Sequence, residues 1–372
     1  MAPLRVAFDT GPLHGSKTGI GFAVEALRTG LRERADVDLH EYVLSYRAEL
    51  LPGTTRLPLP ATLAHRMWAR TGHPRVDRWL GDVQLVHGTN YVVPPTRLPT
   101  LVSVYDCWFL RHPEQADPTV RRAGEVLRAA VARGAVVHTS SHATAAAVRE
   151  LFPGAPVHTV HLGPLPLTPV SATATTPAAL EAVAGHPFVL SIGTLERRKN
   201  LPRLVDAFGR VADNLPELLL VIAGAPGDAA AMVDQAVAAL PAATATRVVR
   251  AGRVDEPARS WLLRHAAVLA YPSLDEGFGF PLLDAMQAGT PVVASTAGSI
   301  PEVAGDAALL VAPDDIDALA AALSLALTDD DVRRRLVAAG HAQCARFSWQ
   351  RCAEEMTSLY RRTMLGDTAE LS

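Results

Sequence analysis

Short apolar runs alternate along the chain with stretches whose apolar positions recur every three or four residues. Leu4–Asp9 is the first such run. Thr10-Gly11-Pro12 breaks it, and over 21–31 the spacing becomes that of an amphipathic helix. The same succession predicts strands at 82–87, 100–104, 134–139 and 157–160, then again at 188–193, 218–224, 246–250, 267–271 and 290–294. Continuous apolar strands separated by helical segments suit a parallel sheet covered by helical crossovers on both faces. Two such series predict an α/β chain of two doubly wound, Rossmann-like domains.

Between the series, Pro164-Leu165-Pro166-Leu167-Thr168-Pro169 and Ser171-Ala172-Thr173-Ala174-Thr175-Thr176-Pro177 cannot sustain a strand and make a poor helix. The organisation expected is an N-terminal domain at 1–165, a linker at 166–186, a C-terminal domain at 187–348 and a final helix at 349–372. In that last segment Cys352, Met356, Leu359, Tyr360 and Met364 follow helical spacing among charged residues, so one apolar stripe requires a partner surface.

Composition narrows the function classes. With 49% hydrophobic and 20% charged residues the chain is globular, and a net charge of −3 supplies no field for neutralising phosphate backbones, so nucleic acid is not an expected partner. Residues 1–170 hold 18 Lys and Arg against 14 Asp and Glu, the remainder 17 against 24, so the N-terminal half is the basic one. Three cysteines without C-x-x-C spacing write neither a disulfide framework nor a zinc knuckle and fit a reducing cytoplasm. No apolar run approaches the roughly 18 residues of a spanning helix. Arg66-Met67-Trp68-Ala69-Arg70 and Arg75-Val76-Asp77-Arg78-Trp79 interleave cations with tryptophan. That pattern suits either an amphipathic helix docked on a sheet or peripheral contact with the inner face of a membrane.

The stretch 271–286 carries the chemistry. A strand ends at Tyr271 and a helix starts near Phe280-Pro281, with proline suited to the first turn. Gly277 and Gly279, flanking Phe278, bare the backbone where the helix dipole is positive, which makes a phosphate site at the carboxyl end of a parallel strand. Glu276 and Asp284 bracket it and are expected to accept hydrogen bonds from sugar hydroxyls rather than to meet phosphate. Arg198 and Lys199 follow strand 188–193 and would neutralise a departing nucleoside diphosphate.

Other motifs fall short. The loop 11–18 lacks the glycine before Lys17 that a P-loop cradle needs, and Gly19-Ile20-Gly21 lacks the third glycine of a dinucleotide fingerprint. Asp36-Val37-Asp38 and Asp315-Ile316-Asp317 match a metal-binding Asp-x-Asp but lie away from the phosphate loop, so no metal is expected. His87, at the end of an apolar strand, is either a structural histidine or an acceptor-site group.

Glu276 to Asp284 resembles the E-x7-E signature of retaining glycosyltransferases of family 4, which have the GT-B fold. Gly289-Thr290-Pro291-Val292-Val293-Ala294-Ser295, Ile300-Pro301-Glu302-Val303, the segment 191–200, Asp9, Thr18-Gly19-Ile20-Gly21 and Ser348-Trp349 extend the resemblance over nearly the whole chain, nearest to the mannosyltransferase-like branch. Asp284 stands in place of the second glutamate, and Tyr105-Asp106 where many relatives have His-Asp. The resemblance implies transfer of a hexose, mannose from GDP-mannose above UDP- or dTDP-sugars, to a hydroxyl of a glycan, lipid-linked or small-molecule acceptor. The competing class is a nucleotide-sugar-binding protein without turnover. The resemblance implies no cofactor beyond the nucleotide-sugar co-substrate. The roles it implies are Glu276 on the donor sugar, Asp284 on the ribose, and Arg198 and Lys199 on the diphosphate. Thr194, Gly19, Gly21, Gly277, Phe278 and Gly279 would line the donor, and Arg253 in the turn 252–255 would face the base. Asp106 is expected to be catalytic and Tyr105 and His87 to lie on the acceptor side. The final helix would cross back onto the N-terminal domain over an interdomain cleft.

Overall fold

The computed structural model describes residues 2–15, 18–168, 177 and 180–366. It separates into two compact units, Met1–Gly163 with Phe347–Ser372, and Pro164–Arg346. Residues 169–176, 178 and 179 of the expected linker, the end of the final segment and the Ser16-Lys17 part of the P-loop-like stretch lie outside the described residues. The described turn 180–186 of that linker buries Leu180 and Val183.

In the first unit a parallel sheet runs in the order β3-β2-β1-β4-β5-β6-β7. The strands are β1 (Leu4–Asp9), β2 (Val37–Val43), β3 (Thr55–Arg56), β4 (Leu85–Gly88), β5 (Thr100–Val104), β6 (Val136–Thr139) and β7 (Val157–Thr159). Pairing of Val6 with Leu85 and of Leu101 with Val136 stacks apolar side chains buried on both faces. β4 starts three residues later than the apolar run suggests. Asp82 and Gln84 are instead spent on Arg5, whose backbone N–H donates to Gln84 Oε1 at 3.0 Å and whose guanidinium meets Asp82 at 3.0 Å.

The final helix, Trp349–Leu365, completes this unit. Ser348 caps it, accepting the Arg351 N–H at 3.1 Å, and the buried stripe is Cys352, Met356, Leu359 and Tyr360. It lies so close to the helix Gly19–Arg32 that a Cβ on Gly30 would sit 3.1 Å from Ala353 Cβ.

A buried polar chain ties that helix to the sheet. His87 Nδ1 lies 2.8 Å from the Tyr360 hydroxyl and its Nε2 2.8 Å from Ser103 Oγ; Ser103 Oγ lies 2.8 Å from His138 Nδ1, and His138 Nε2 3.2 Å from Val160 O. A carbonyl can only accept, so His138 carries its proton on Nε2 and takes one from Ser103 on Nδ1. Ser103 therefore accepts from His87 Nε2, and His87 Nδ1 accepts from Tyr360. Every link then runs in one direction, and both imidazoles are neutral. Burial, with a neighbouring histidine as the lesser cause, holds His87 well below the usual histidine range, and burial lowers His138 to about 4.

The second unit holds a six-stranded parallel sheet in the order β10-β9-β8-β11-β12-β13. Its strands are β8 (Phe188–Ile192), β9 (Leu219–Ala223), β10 (Val248–Gly252), β11 (Val268–Tyr271), β12 (Val292–Ser295) and β13 (Leu309–Val311). β13, short and only half-buried, falls on the apolar run 307–312, which is not among the strands expected from the sequence. The helix Leu201–Ala212 packs Leu204, Val205, Phe208 and Val211 into the core beside Val189, Leu220 and Ile222.

A histidine whose folded pKa is depressed favours folding fully above its unfolded pKa and loses that contribution as pH falls. Between pH 6.5 and 4 the first unit is therefore expected to lose about 3 kcal/mol through His138. Urea unfolding across that range checks it, and His138→Gln should flatten the dependence.

Candidate active site

Strand order in the second unit reverses between β8 and β11, and open parallel sheets bind ligands outside the carboxyl ends of their strands at such a switch point. The loops that leave these two strands are 193–200 and 272–279. The first turns sharply at Gly193 (φ 139°) beneath Gly224, where a Cβ would lie 1.7 Å from Gly193 O, so only glycine fits. It then forms the short turn Arg197–Lys199 and ends at Asn200, a non-glycine residue at φ 57°. Asn200 Nδ2 donates to Pro272 O at 3.0 Å and to Pro313 O at 2.8 Å, and the Leu274 N–H donates to Arg198 O at 2.6 Å. The two loops are thereby stitched together.

Glu276 sits at their junction, 6% exposed. Arg198 Nη1 donates to its Oε2 at 2.7 Å and Lys199 Nζ to its Oε1 at 2.5 Å. Lys199, 9% exposed, also donates to the Tyr271 hydroxyl at 2.8 Å and lies 4.7 Å from that ring's centre. Burial alone would raise the Glu276 pKa, but the charges of Arg198 and Lys199 outweigh it and hold the carboxyl at about 2. Burial pulls Lys199 below the ordinary lysine value in spite of Glu276. The backbone is gripped as well. Glu276 O accepts the Ser299 N–H at 3.0 Å, and Gly298 (φ 55°) comes so near that a Cβ would lie 2.6 Å from Glu276 N and O.

The helix Phe280–Ala288 begins three residues after the loop's Gly277, with Gly279 (φ 93°) at its cap and a proline in its first turn. Gly277, Phe278 and Gly279 are buried, and Phe278 packs edge-on to Phe280 at 5.3 Å. Two cations, a carboxylate and the positive end of a helix thus converge at one switch point. That combination can hold a diphosphate and accept hydrogen bonds from hydroxyls.

The remaining expected residues are placed differently. Thr194 is exposed in the loop after β8, and Arg253 is exposed in the turn after β10. Asp284 is expected from the sequence to offer its carboxylate to a ribose, but it is 3% exposed with both oxygens engaged: Oδ1 accepts the Leu165 N–H at 3.0 Å and Oδ2 pairs with Arg259 at 2.8 Å. In the first unit Gly19, exposed, opens the helix Gly19–Arg32, and Gly21 is buried in its first turn. Asp106 is half-buried, accepting from the Tyr91 hydroxyl and the Trp108 N–H, each at 3.1 Å.

His87 and Tyr105, expected on the acceptor side, are both buried in the first unit. His87 is fully buried with both ring nitrogens hydrogen-bonded, and Tyr105 is 7% exposed with its hydroxyl hydrogen-bonded to Ser103. Residues on these central strands are covered by the final helix, which the pattern around them does not announce. Asp36 pairs with Arg34 and Arg361, and Asp315 caps a helix through the Ala318 N–H at 2.8 Å. No role is expected from the sequence for Tyr271, Asn200, Arg259 or Gly298, since each acts through a partner that local pattern does not name: Tyr271 through Lys199, Asn200 through Pro313, Arg259 through Asp284 and Gly298 through Glu276.

The model of group 1 glycosyl transferases matches residues 173–343. The chain is 30% identical over 299 residues to O-antigen chain mannosyltransferase B of Escherichia coli, covering 78% of each protein. It is 28% identical over 358 residues to the phosphatidyl-myo-inositol mannosyltransferase of Mycobacterium leprae, covering 87% of this chain and 85% of that one. Among solved structures, sucrose-phosphate synthase from Thermosynechococcus elongatus superposes with a TM-score of 0.74 at 20% identity, over 98% of this chain and 100% of that one, a likeness of fold. Kinship over more than three quarters of both proteins, on two Rossmann-like sheets of the GT-B type, makes this chain a member of the group 1 (family 4) glycosyltransferases, of the mannosyltransferase-like kind.

Proposed function

We propose that this glycosyltransferase moves mannose from GDP-mannose to a hydroxyl of its acceptor, with retention at the anomeric carbon and without a metal ion. The observation that carries the proposal is Glu276 held between Arg198 and Lys199 at the switch point of the second sheet. Two relatives named as mannosyltransferases support the sugar. Engagement of both Asp-x-Asp pairs by arginines or helix caps supports a mechanism in which charge on the diphosphate is met by side-chain cations.

In this mechanism the diphosphate oxygens take up Arg198 and Lys199, and Glu276 turns to the hydroxyls of the donor sugar. The bond from the anomeric carbon to the β-phosphate oxygen breaks while the acceptor oxygen bonds to the same face. The acceptor proton passes to the departing phosphate oxygen, whose growing charge the two cations and the helix N-terminus stabilise.

The acceptor end of the proposal rests on the helix Ala61–Thr71. Trp68 is buried there, whereas Leu63 and Met67 are 52% and 37% exposed beside the exposed Arg66 and Arg70. An outward face of apolar and cationic side chains supports peripheral contact with an anionic membrane and a lipid-linked acceptor. No described helix is long and apolar enough to cross a membrane.

The test is a donor screen. Purified enzyme is incubated with GDP-, UDP- and dTDP-hexoses and a lipid-linked acceptor pool, with and without EDTA, and the anomeric configuration of the product is read by NMR. Transfer from GDP-mannose with an α-linked product, unaffected by EDTA, is the expected result; an inverted product or a preference for another donor overturns the assignment.

Lys199→Ala is expected to lower kcat at least about a hundredfold while donor KM rises only a few-fold, because the ammonium is needed most as the diphosphate leaves. Equal effects on both constants would remove that role. Gly298→Ala is expected to displace the Glu276 backbone and cost about tenfold or more in kcat/KM, with the unfolding midpoint showing whether the fold survives.

A further inference from the structure

Lys199 stands on a three-residue turn outside any long element, and its ammonium has two hydrogen-bond partners among the described residues, Glu276 Oε1 and the Tyr271 hydroxyl. If Glu276 turns to the donor sugar, as in the function proposed above, one of those two is withdrawn when the diphosphate needs the charge. Tyr271 is differently supported. It is the last residue of β11, paired in register with Ala294 of β12 and 2% exposed, so its position is fixed by the sheet. Its ring lies alongside the ammonium at 4.7 Å. Its hydroxyl accepts from Lys199 Nζ at 2.8 Å, beside the Glu276 Oε1 that the same ammonium reaches at 2.5 Å. At Gly193 a Cβ would lie 3.5 Å from Lys199 Cε, so the side chain passes close against the backbone on its other flank.

We propose that Tyr271 is a positioning residue, which holds the Lys199 ammonium in place on the diphosphate while Glu276 is engaged by the donor sugar. A neutral phenol suits this task. It uses one of the three N–H donors of Lys199 and leaves the others, with the full charge, for phosphate oxygens. An acidic residue at 271 would fix the lysine equally well but would cancel the charge on which catalysis depends.

The test is a double-mutant cycle on the full chain with Tyr271→Phe, Lys199→Ala and the pair, measured as donor turnover across pH. Tyr271→Phe keeps the ring and removes the hydroxyl. It is expected to lower kcat about tenfold with donor KM within about threefold. The alkaline limb of kcat should also move to lower pH, because the charged amine loses a hydrogen-bond acceptor that favours it. In the Lys199→Ala background the same change should cost nothing further. An unmoved alkaline limb, or an equal loss in both backgrounds, overturns the positioning role and leaves the proposed function standing. A wild-type enzyme that transfers no hexose from any nucleotide-sugar overturns that function, and the role of Tyr271 falls with it. Unfolding midpoints of each variant separate loss of fold from loss of position.

Discussion

A carboxylate shut away from water stays ionised only where cations are brought to it, and the second unit is organised around that constraint. Glu276 is ionised because Arg198 and Lys199 arrive from a neighbouring loop, and they arrive there because β8 and β11 are adjacent although they are distant in sequence. Every support nearby serves the same meeting. Asn200 ties one loop to the other, Ser299 holds the Glu276 carbonyl, and Gly298 lets the backbone come close. Buried ion pairs of this kind contribute little net stability, since desolvation offsets the attraction. Their effect here is to hold one carboxylate and two cations together at the switch point of the sheet.

The first unit pairs its buried Glu41 with Arg28 and Arg32, and elsewhere meets a related constraint with neutral groups. Polar side chains that enter its core, His87, Ser103, His138 and Tyr360, are satisfied by one another in a single directed chain that ends on a backbone carbonyl. Such a chain tolerates one arrangement of protons. It specifies how the final helix seats on the sheet more sharply than its apolar stripe does, because Leu and Met side chains accept small shifts and hydrogen bonds do not.

Much of this is legible in the order of residues alone. The alternation of apolar runs and helical periods locates most strands to within three residues, and the start of the helix at Phe280-Pro281 follows from proline after glycine. Glu276, Arg198 and Lys199 are recognisable because each lies in the loop that follows a strand, where local pattern and site coincide. His87 and Tyr105 point toward an acceptor when taken in sequence, because strand ends in such sheets often face ligands. What covers them is a helix more than 240 residues further along, and no local signal encodes that distance. For Asp284 the spacing from Glu276 is visible in the chain, whereas its partner Arg259 is named by nothing nearby. Residues that act through a distant partner become readable only when the partner's position is known.

The split of the first unit between 1–163 and 347–372 bears on the order in which the molecule can be made. A ribosome delivers the chain from its N-terminus, so the seven-stranded sheet is complete long before the helix that caps it exists. Until Tyr360 emerges, His87 Nδ1 lacks the hydroxyl that it accepts from, and the face meant for Leu359 and Met356 is bare. The intervening 164–346 is contiguous and can close around its own core first. Synthesis therefore finishes the second unit before the first, and the helix Trp349–Leu365 is what covers the earlier sheet.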